Sequence, residues 1–117
     1  MVDSKIPISQ LKSMIGDFVR ERNWEIYHNP KELAIALSIE ANELLEIFLF
    51  KNPDIDDLFN DDLMRASIKE EMADVFAYLL SIANSLNIDL SESFIDKMKK
   101  NEKKYPKNKF NGNYEKM

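Results

Sequence analysis

Carboxylates stand at helical core positions in this chain, and few folds tolerate that. Along Lys31–Phe50 the residues Leu33, Leu37, Glu40, Leu44 and Ile47 follow a 4-3-4-3 spacing, the stripe that a helix turns toward a core. Glu40 lies inside that stripe, and Glu43 lies one turn on, on the same side. Along Ser67–Leu86 a second apolar stripe runs through Ile68, Met72, Val75, Leu79, Ile82 and Leu86. Beside it, about 100° around the helix, runs a polar stripe of Ser67, Glu71, Asp74, Tyr78 and Ser81. A buried carboxylate without compensation costs several kcal/mol. If the two helices pack together, the simplest compensation is a divalent cation.

Acids three residues apart on a helix ordinarily mark a solvated face. Two features oppose that reading here. The acids occupy or flank apolar stripes, and they come as two similar pairs on separate helices. Basic partners are also scarce: Lys69 is the nearest, and no Lys or Arg occurs between Lys31 and Lys51.

Ligand chemistry then narrows the metal. With no Cys and with His28 as the single histidine, a Cys- or His-built zinc site is excluded in practice. A ferritin-like di-iron centre needs a Glu-x-x-His pair on each of two helices, and neither helix has a histidine. An all-oxygen site suits Mg²⁺, with Mn²⁺ as the second choice. Magnesium held by a few carboxylates keeps waters and takes further ligands from substrate phosphates. A polyphosphate is therefore the expected substrate class.

At 117 residues the chain is expected to be one domain with a modest core, which favours association. Two Gly and four Pro leave few breaks and fit long helices. No apolar run is long enough for a membrane span, and the start MVDSKIPISQ lacks a signal core. The absence of Cys is compatible with a reducing cytoplasm, which is the expected location. Residues 1–96 carry 8 basic and 19 acidic side chains, whereas residues 97–117 carry 8 and 2. An acidic body without a broad basic face argues against nucleic acid as a partner. The basic end is either a loose arm or a source of cations for a phosphate chain.

Four main helices are expected. The first starts near Pro7 to Ser9 and runs to about Trp24, with Ile8, Leu11, Ile15, Phe18 and Val19 on one face. Asn29-Pro30 opens the second, which runs to about Phe50. Asp54, Asp56, Asp57, Asp61 and Asp62 read as a solvated loop with at most one short turn. A third helix spans about Asp62–Leu86. A fourth is capped by Asp89 or Ser91 and ends near Lys104, ahead of Pro106. The tail from residue 106 is expected to be loose.

Two further groups draw notice. Lys97, Asn101 and Lys104 share a face of the last helix, with Tyr105 just after them. Lysines late in a helix favour its negative end anyway, but the same face suits phosphate and sugar. Trp24, Tyr27 and His28 cluster ahead of the second helix. Packing explains such aromatics most often; a wall for a base is the other reading.

The segments RNWEIYHNP, IEANELLEIFLFK, IKEEMADVFAYLL and KMKKNEKKYP together resemble the all-α MazG-like nucleoside triphosphate pyrophosphohydrolases. More narrowly, they resemble the branch that contains the dCTP pyrophosphatases. The resemblance covers roughly residues 11–109 and implies a four-helix MazG-like bundle over residues 1–105, followed by a basic, flexible tail over 106–117. It further implies assembly into dimers or tetramers, with the site near a subunit interface. Glu40, Glu43, Glu71 and Asp74 match the metal-binding acids. Tyr78, Lys97, Asn101 and Tyr105 match positions that hold the nucleotide, with Lys104 beside them. Trp24 and His28 match residues near the base and sugar. Two departures concern the base: Phe50 stands where the vertebrate enzyme has Trp, and Ile15 where it has a first-helix His. The implied reaction is magnesium-assisted hydrolysis at the α-phosphorus of a pyrimidine nucleotide such as dCTP, with Glu43 or Glu46 as general base.

Two other classes compete with an enzyme. A non-catalytic nucleotide-binding protein would tolerate loss of the metal acids, yet all four are present. A helical adaptor would need an uninterrupted apolar stripe, and the acids interrupt it.

Overall fold

The computed structural model describes residues 1–112, and among these every regular element is helical. Five α-helices follow in order: α1 (Ile8–Glu21), α2 (Pro30–Glu46), α3 (Ile55–Asn60), α4 (Asp62–Leu86) and α5 (Leu90–Lys104). Short 3₁₀ turns at Val2–Ser4 and Glu25–Tyr27 precede α1 and α2. By its contacts the chain divides into two compact units, Met1–Asn87 and Ile88–Met117.

In the first unit α4 is the central helix, packed against by α2, α1 and α3. Its buried residues are few: Val19 on α1, Leu33 on α2, and Leu80, Ser81 and Ala83 on α4. The expected apolar stripe of α4 is turned inward only in part. Ile68, Val75 and Ile82 are half-buried, but Met72, Leu79 and Leu86 are 57%, 41% and 52% exposed. In the polar stripe Ser81 is buried and Glu71 and Tyr78 are half-buried, while Ser67 and Asp74 are exposed. The acids of α2 and α4 can face one another only if α4 turns part of its polar stripe toward α2, and that leaves Met72 and Leu79 outward.

Capping chemistry sets the helix ends. The first helix stops at Glu21, short of the expected Trp24, because Asn23 adopts left-handed backbone with φ 54°. The Asn23 and Trp24 amides then donate to the carbonyls of Arg20 and Val19, at 3.0 and 3.1 Å. These two bonds form a Schellman stop, and such stops commonly bring an apolar contact back onto the helix. Here that contact is Trp24 edge-on to Phe18, with ring centroids 5.7 Å apart. The break therefore fixes where Trp24 points.

Asn29 caps α2 by accepting from the Glu32 amide at 2.9 Å, with Pro30 in the first turn. The regular helix ends at Glu46, and turns carry the chain on to Phe50 at φ 58°. The acidic stretch is more ordered than a solvated loop. Asp54 and Asp57 form a reciprocal capping box on α3, and Asp61 caps α4 through the Met64 amide at 3.0 Å. Three of its five acids thus serve helix ends.

In the second unit Asp89, rather than Ser91, caps α5 through the Glu92 amide at 2.8 Å. Residues 106–110 do not hang loose. The Lys109 and Phe110 amides return to the Pro106 carbonyl, and Phe110 packs edge-on to Tyr105 at 5.2 Å. Residues 113–117 of the expected tail lie outside the described residues. No helix among those described is long and apolar enough to cross a membrane.

Candidate metal and nucleotide site

Glu40 and Glu43 are one turn apart on α2, and Glu71 reaches them from α4. Each of the three offers a carboxylate oxygen, and these oxygens lie within 4.8 Å of one another, a grouping able to hold a metal ion. The donor set tests well against a hard divalent cation, since it is all oxygen. A second observation is stronger. Glu40 Oε2 and Glu71 Oε2 are buried atoms with no hydrogen-bond partner. Native proteins seldom leave buried acceptors unmatched, and a missing ion is one of the standard reasons.

Electrostatics agree. Burial, then the neighbouring Glu43 carboxyl, and then the charge of Asp74 push Glu40 up to about 7 from 4.5. Glu71 is raised as well, by burial first and by Glu43 next. No Lys or Arg figures among the causes at either site. The cluster holds unrelieved negative charge, which is the condition a cation removes.

Asp74, expected as a fourth ligand, is not part of this three-acid group. It does stand close enough for its charge to act on Glu40 and Glu71. It also lines a cavity of 180 Å³ together with Ile15, Phe18, Val19, Trp24, His28, Ala77, Tyr78 and Ser81. The structure thus brings Trp24, His28, Asp74 and Tyr78 to one cavity, and Asp74 connects that cavity to the acids. Ile15, the departure noted near the base, lines it too. Sequence reasoning missed Ala77 as a lining residue; its signal is position, one residue ahead of Tyr78 on α4.

Other expected site residues fall elsewhere. Glu46 lines a separate cavity with Ile47, Lys51, Asp61, Leu63, Met64 and Ser67. Phe50 is 99% exposed and does not line the Trp24 cavity, because the left-handed turn after α2 swings it into solvent. Lys97, Asn101 and Lys104 lie on α5, in the second unit, with Tyr105 as its cap. The Lys104 ammonium sits 5.4 Å from the Tyr105 ring centroid.

The model of the MazG-like family matches residues 35–117, which hold all three clustered acids. The chain belongs to the MazG-like family. Among relatives of this MazG-like chain, dCTP pyrophosphatase 1 of Mus musculus is 33% identical over 100 residues, covering 85% of this chain and 59% of that protein. The Bos taurus protein of the same name is 32% identical, over 88% of this chain and 62% of its own length. The chain therefore spans about three-fifths of these curated relatives. A solved pyrophosphatase structure from Archaeoglobus fulgidus superposes with a TM-score of 0.77 at 37% identity, covering 85% of this chain and 92% of that one. The all-helical MazG-like fold is common to both.

Proposed function

We propose that this protein is a Mg²⁺-dependent nucleoside triphosphate pyrophosphohydrolase that converts a deoxypyrimidine triphosphate such as dCTP to its monophosphate and pyrophosphate. The observation that carries this reading is the pair of orphaned buried oxygens, on Glu40 and Glu71, in an acid cluster that Asp74 joins to an aromatic cavity. The names of the relatives and of the solved structure support the same reaction class.

Glu40, Glu43 and Glu71 would hold the cation, with Asp74 beside them. Once bound, it would neutralise phosphate oxygens and lower the pKa of a bound water. Trp24 would offer a ring face to the base, with His28 and Tyr78 lining the same cavity. Lys97, Asn101, Lys104 and Tyr105 are assigned to phosphate and sugar by resemblance. Of the two candidates for the base that takes the proton from water, Glu43 belongs to the acid cluster and Glu46 faces another cavity, so Glu43 is preferred. Water attacks the α-phosphorus and the bond to the bridging oxygen of the pyrophosphate breaks. Residues 1–105 act as one MazG-like domain, the basic segment 106–117 follows it, and the setting is cytoplasmic.

Products decide the cleavage point. Chromatography of a reaction with dCTP and Mg²⁺ should show dCMP and pyrophosphate, abolished by chelator. Diphosphate with orthophosphate would mean attack at the γ-phosphorus and would sink the assignment.

Selectivity for the base should be moderate. An apolar pocket separates close analogues by only ~1–3 kcal/mol. We expect dCTP or a 5-substituted relative to have the highest kcat/KM, with dUTP or dTTP close behind. A clear preference for dATP or dGTP would overturn the pyrimidine part alone.

The working form is a dimer or tetramer. Met72 and Leu79 on α4 and Ile35 and Ile39 on α2 are all 41–57% exposed, an apolar area that a lone chain leaves in water. Phe50, exposed and outside its own cavity, would then serve the site of a second copy. Light scattering at micromolar concentration should give a multiple of 13.7 kDa. A monomer, or a Leu79→Asp variant with unchanged mass, contradicts this expectation.

A further inference from the structure

A second cavity of 230 Å³ adjoins the Trp24 cavity. It is lined by Gly16, Val19, Arg20, Glu25, His28, Ser81, Asn84 and Ser85. Val19, His28 and Ser81 line both cavities, so these three residues are what stands between them. Val19 and Ser81 are 7% and 8% exposed, packed between α1 and α4, and belong to the fixed core. His28 is the half-buried member, and it comes from the connecting segment rather than from a helix.

The His28 backbone is pinned on three sides. Its amide donates to the Glu25 carbonyl at 3.1 Å, its carbonyl accepts from the Ser85 hydroxyl at 3.2 Å, and the next residue caps α2. Removing the imidazole should therefore open the partition without releasing the chain around it. Size then matters. Drug-sized ligand pockets begin near ~300 Å³. Each cavity alone falls below that bound, and the two joined would exceed it.

We infer that His28 is a specificity-determining residue: its ring closes the base pocket against the second cavity and limits that pocket to a single-ring base. This rests on the proposed nucleotide hydrolysis and adds the residue that sets base size. Beyond the partition, the lining includes a helical glycine, Gly16. A Cβ built on Gly16 would lie 3.1 Å from the Arg20 guanidinium, the far end of a flexible side chain, and would meet no fixed backbone. Leucine at position 16 can thus enter the second cavity from a helical position once the Arg20 side chain gives by a few tenths of an ångström.

The test compares kcat/KM for dATP, dGTP and dCTP with Mg²⁺ in the full chain. His28→Ala should raise the purine-to-dCTP ratio by about tenfold or more. His28→Phe, which keeps a ring, should leave the ratio near that of the parent. Adding Gly16→Leu to His28→Ala should return it toward the parent value, while Gly16→Leu alone leaves dCTP turnover unchanged. An unchanged ratio in His28→Ala, or a raised ratio that Gly16→Leu does not reverse, overturns the inference. Should His28→Ala lose turnover on every nucleotide, calorimetry with α,β-imido-dATP and α,β-imido-dCTP reads the same ratio as affinities. A raised affinity ratio then supports the inference, and an unchanged one overturns it. If the parent protein itself hydrolyses no nucleotide, the proposed function fails first and the inference falls with it.

Discussion

Replacing Glu71 by Gln should lower pyrophosphate release by on the order of a hundredfold or more while leaving the fold standing. The change keeps the shape of the side chain and removes one of three carboxylates whose oxygens lie within 4.8 Å of one another. A cation held there loses both a ligand and a charge. Folding should not suffer, because the native carboxylate is raised by burial and by Glu43 and has an oxygen without a partner. A glutamine amide also gives the neighbouring acids a donor. The melting temperature should therefore stay level or rise. Glu40→Gln should behave alike. Asp74→Asn tests a different point, since this acid borders the cavity and lies outside the three-acid group. A similar loss there would place substrate between cavity and cluster. Near-normal turnover in all three variants, measured beside matching circular-dichroism melts, would reduce the acids to a solvated patch.

The cluster could be anticipated from sequence because helical periodicity is a local property. Glu40 falls in a 4-3-4-3 apolar stripe, and no arrangement of α2 that buries Leu33 and Leu37 sends Glu40 far into solvent. Asn29-Pro30 and Asp89 announced their helices for the same reason, since a cap acts within four residues. What escaped was either a single dihedral angle or a long-range meeting. The expected α1 ran on to Trp24, and the left-handed Asn23 ends the helix before it. Asp54 and Asp57 resemble any acidic loop until their side chains are seen to exchange bonds with each other's amides. Phe50 falls within the expected span of α2, yet the helix has already given way to turns. The second cavity joins residues far apart in the chain, such as Gly16 and Asn84, whose amide reaches the Lys12 carbonyl 72 positions away. No local pattern encodes that meeting. The orientation of α4 is the instructive case: two stripes were legible, and each turns only part of itself inward, a compromise set by the acids of another helix.

Metal-free protein should lose stability as pH rises from about 5 to about 8, and Glu40 should account for much of the loss. Its pKa is about 7 in the folded chain against an ordinary value of 4.5, so the folded state holds the proton more tightly than the unfolded one. Below pH 4.5 both states are protonated and the group contributes no penalty. Between 4.5 and 7 the unfolded state releases its proton while the folded state keeps it, so stability falls across that window. Above 7 both are ionised and the penalty is complete. Glu71, raised in the same direction, adds to the trend. Titrating groups outside the cluster cancel when the parent is compared with Glu40→Gln at fixed protein concentration, while Glu71 responds to the loss of its neighbour. Their melting temperatures should nearly coincide at pH 5, and the variant should melt higher at pH 8. Magnesium must reverse the order, since a cation competes with protons for the same oxygens and binds best once they are ionised. At a hundredfold excess over Kd it stabilises by about 2.7 kcal/mol, so the Mg²⁺-induced rise should be large at pH 8, small at pH 5 and weak in Glu40→Gln at either pH. Equal Mg²⁺ shifts at both pH values would mean that the cation binds somewhere other than these acids.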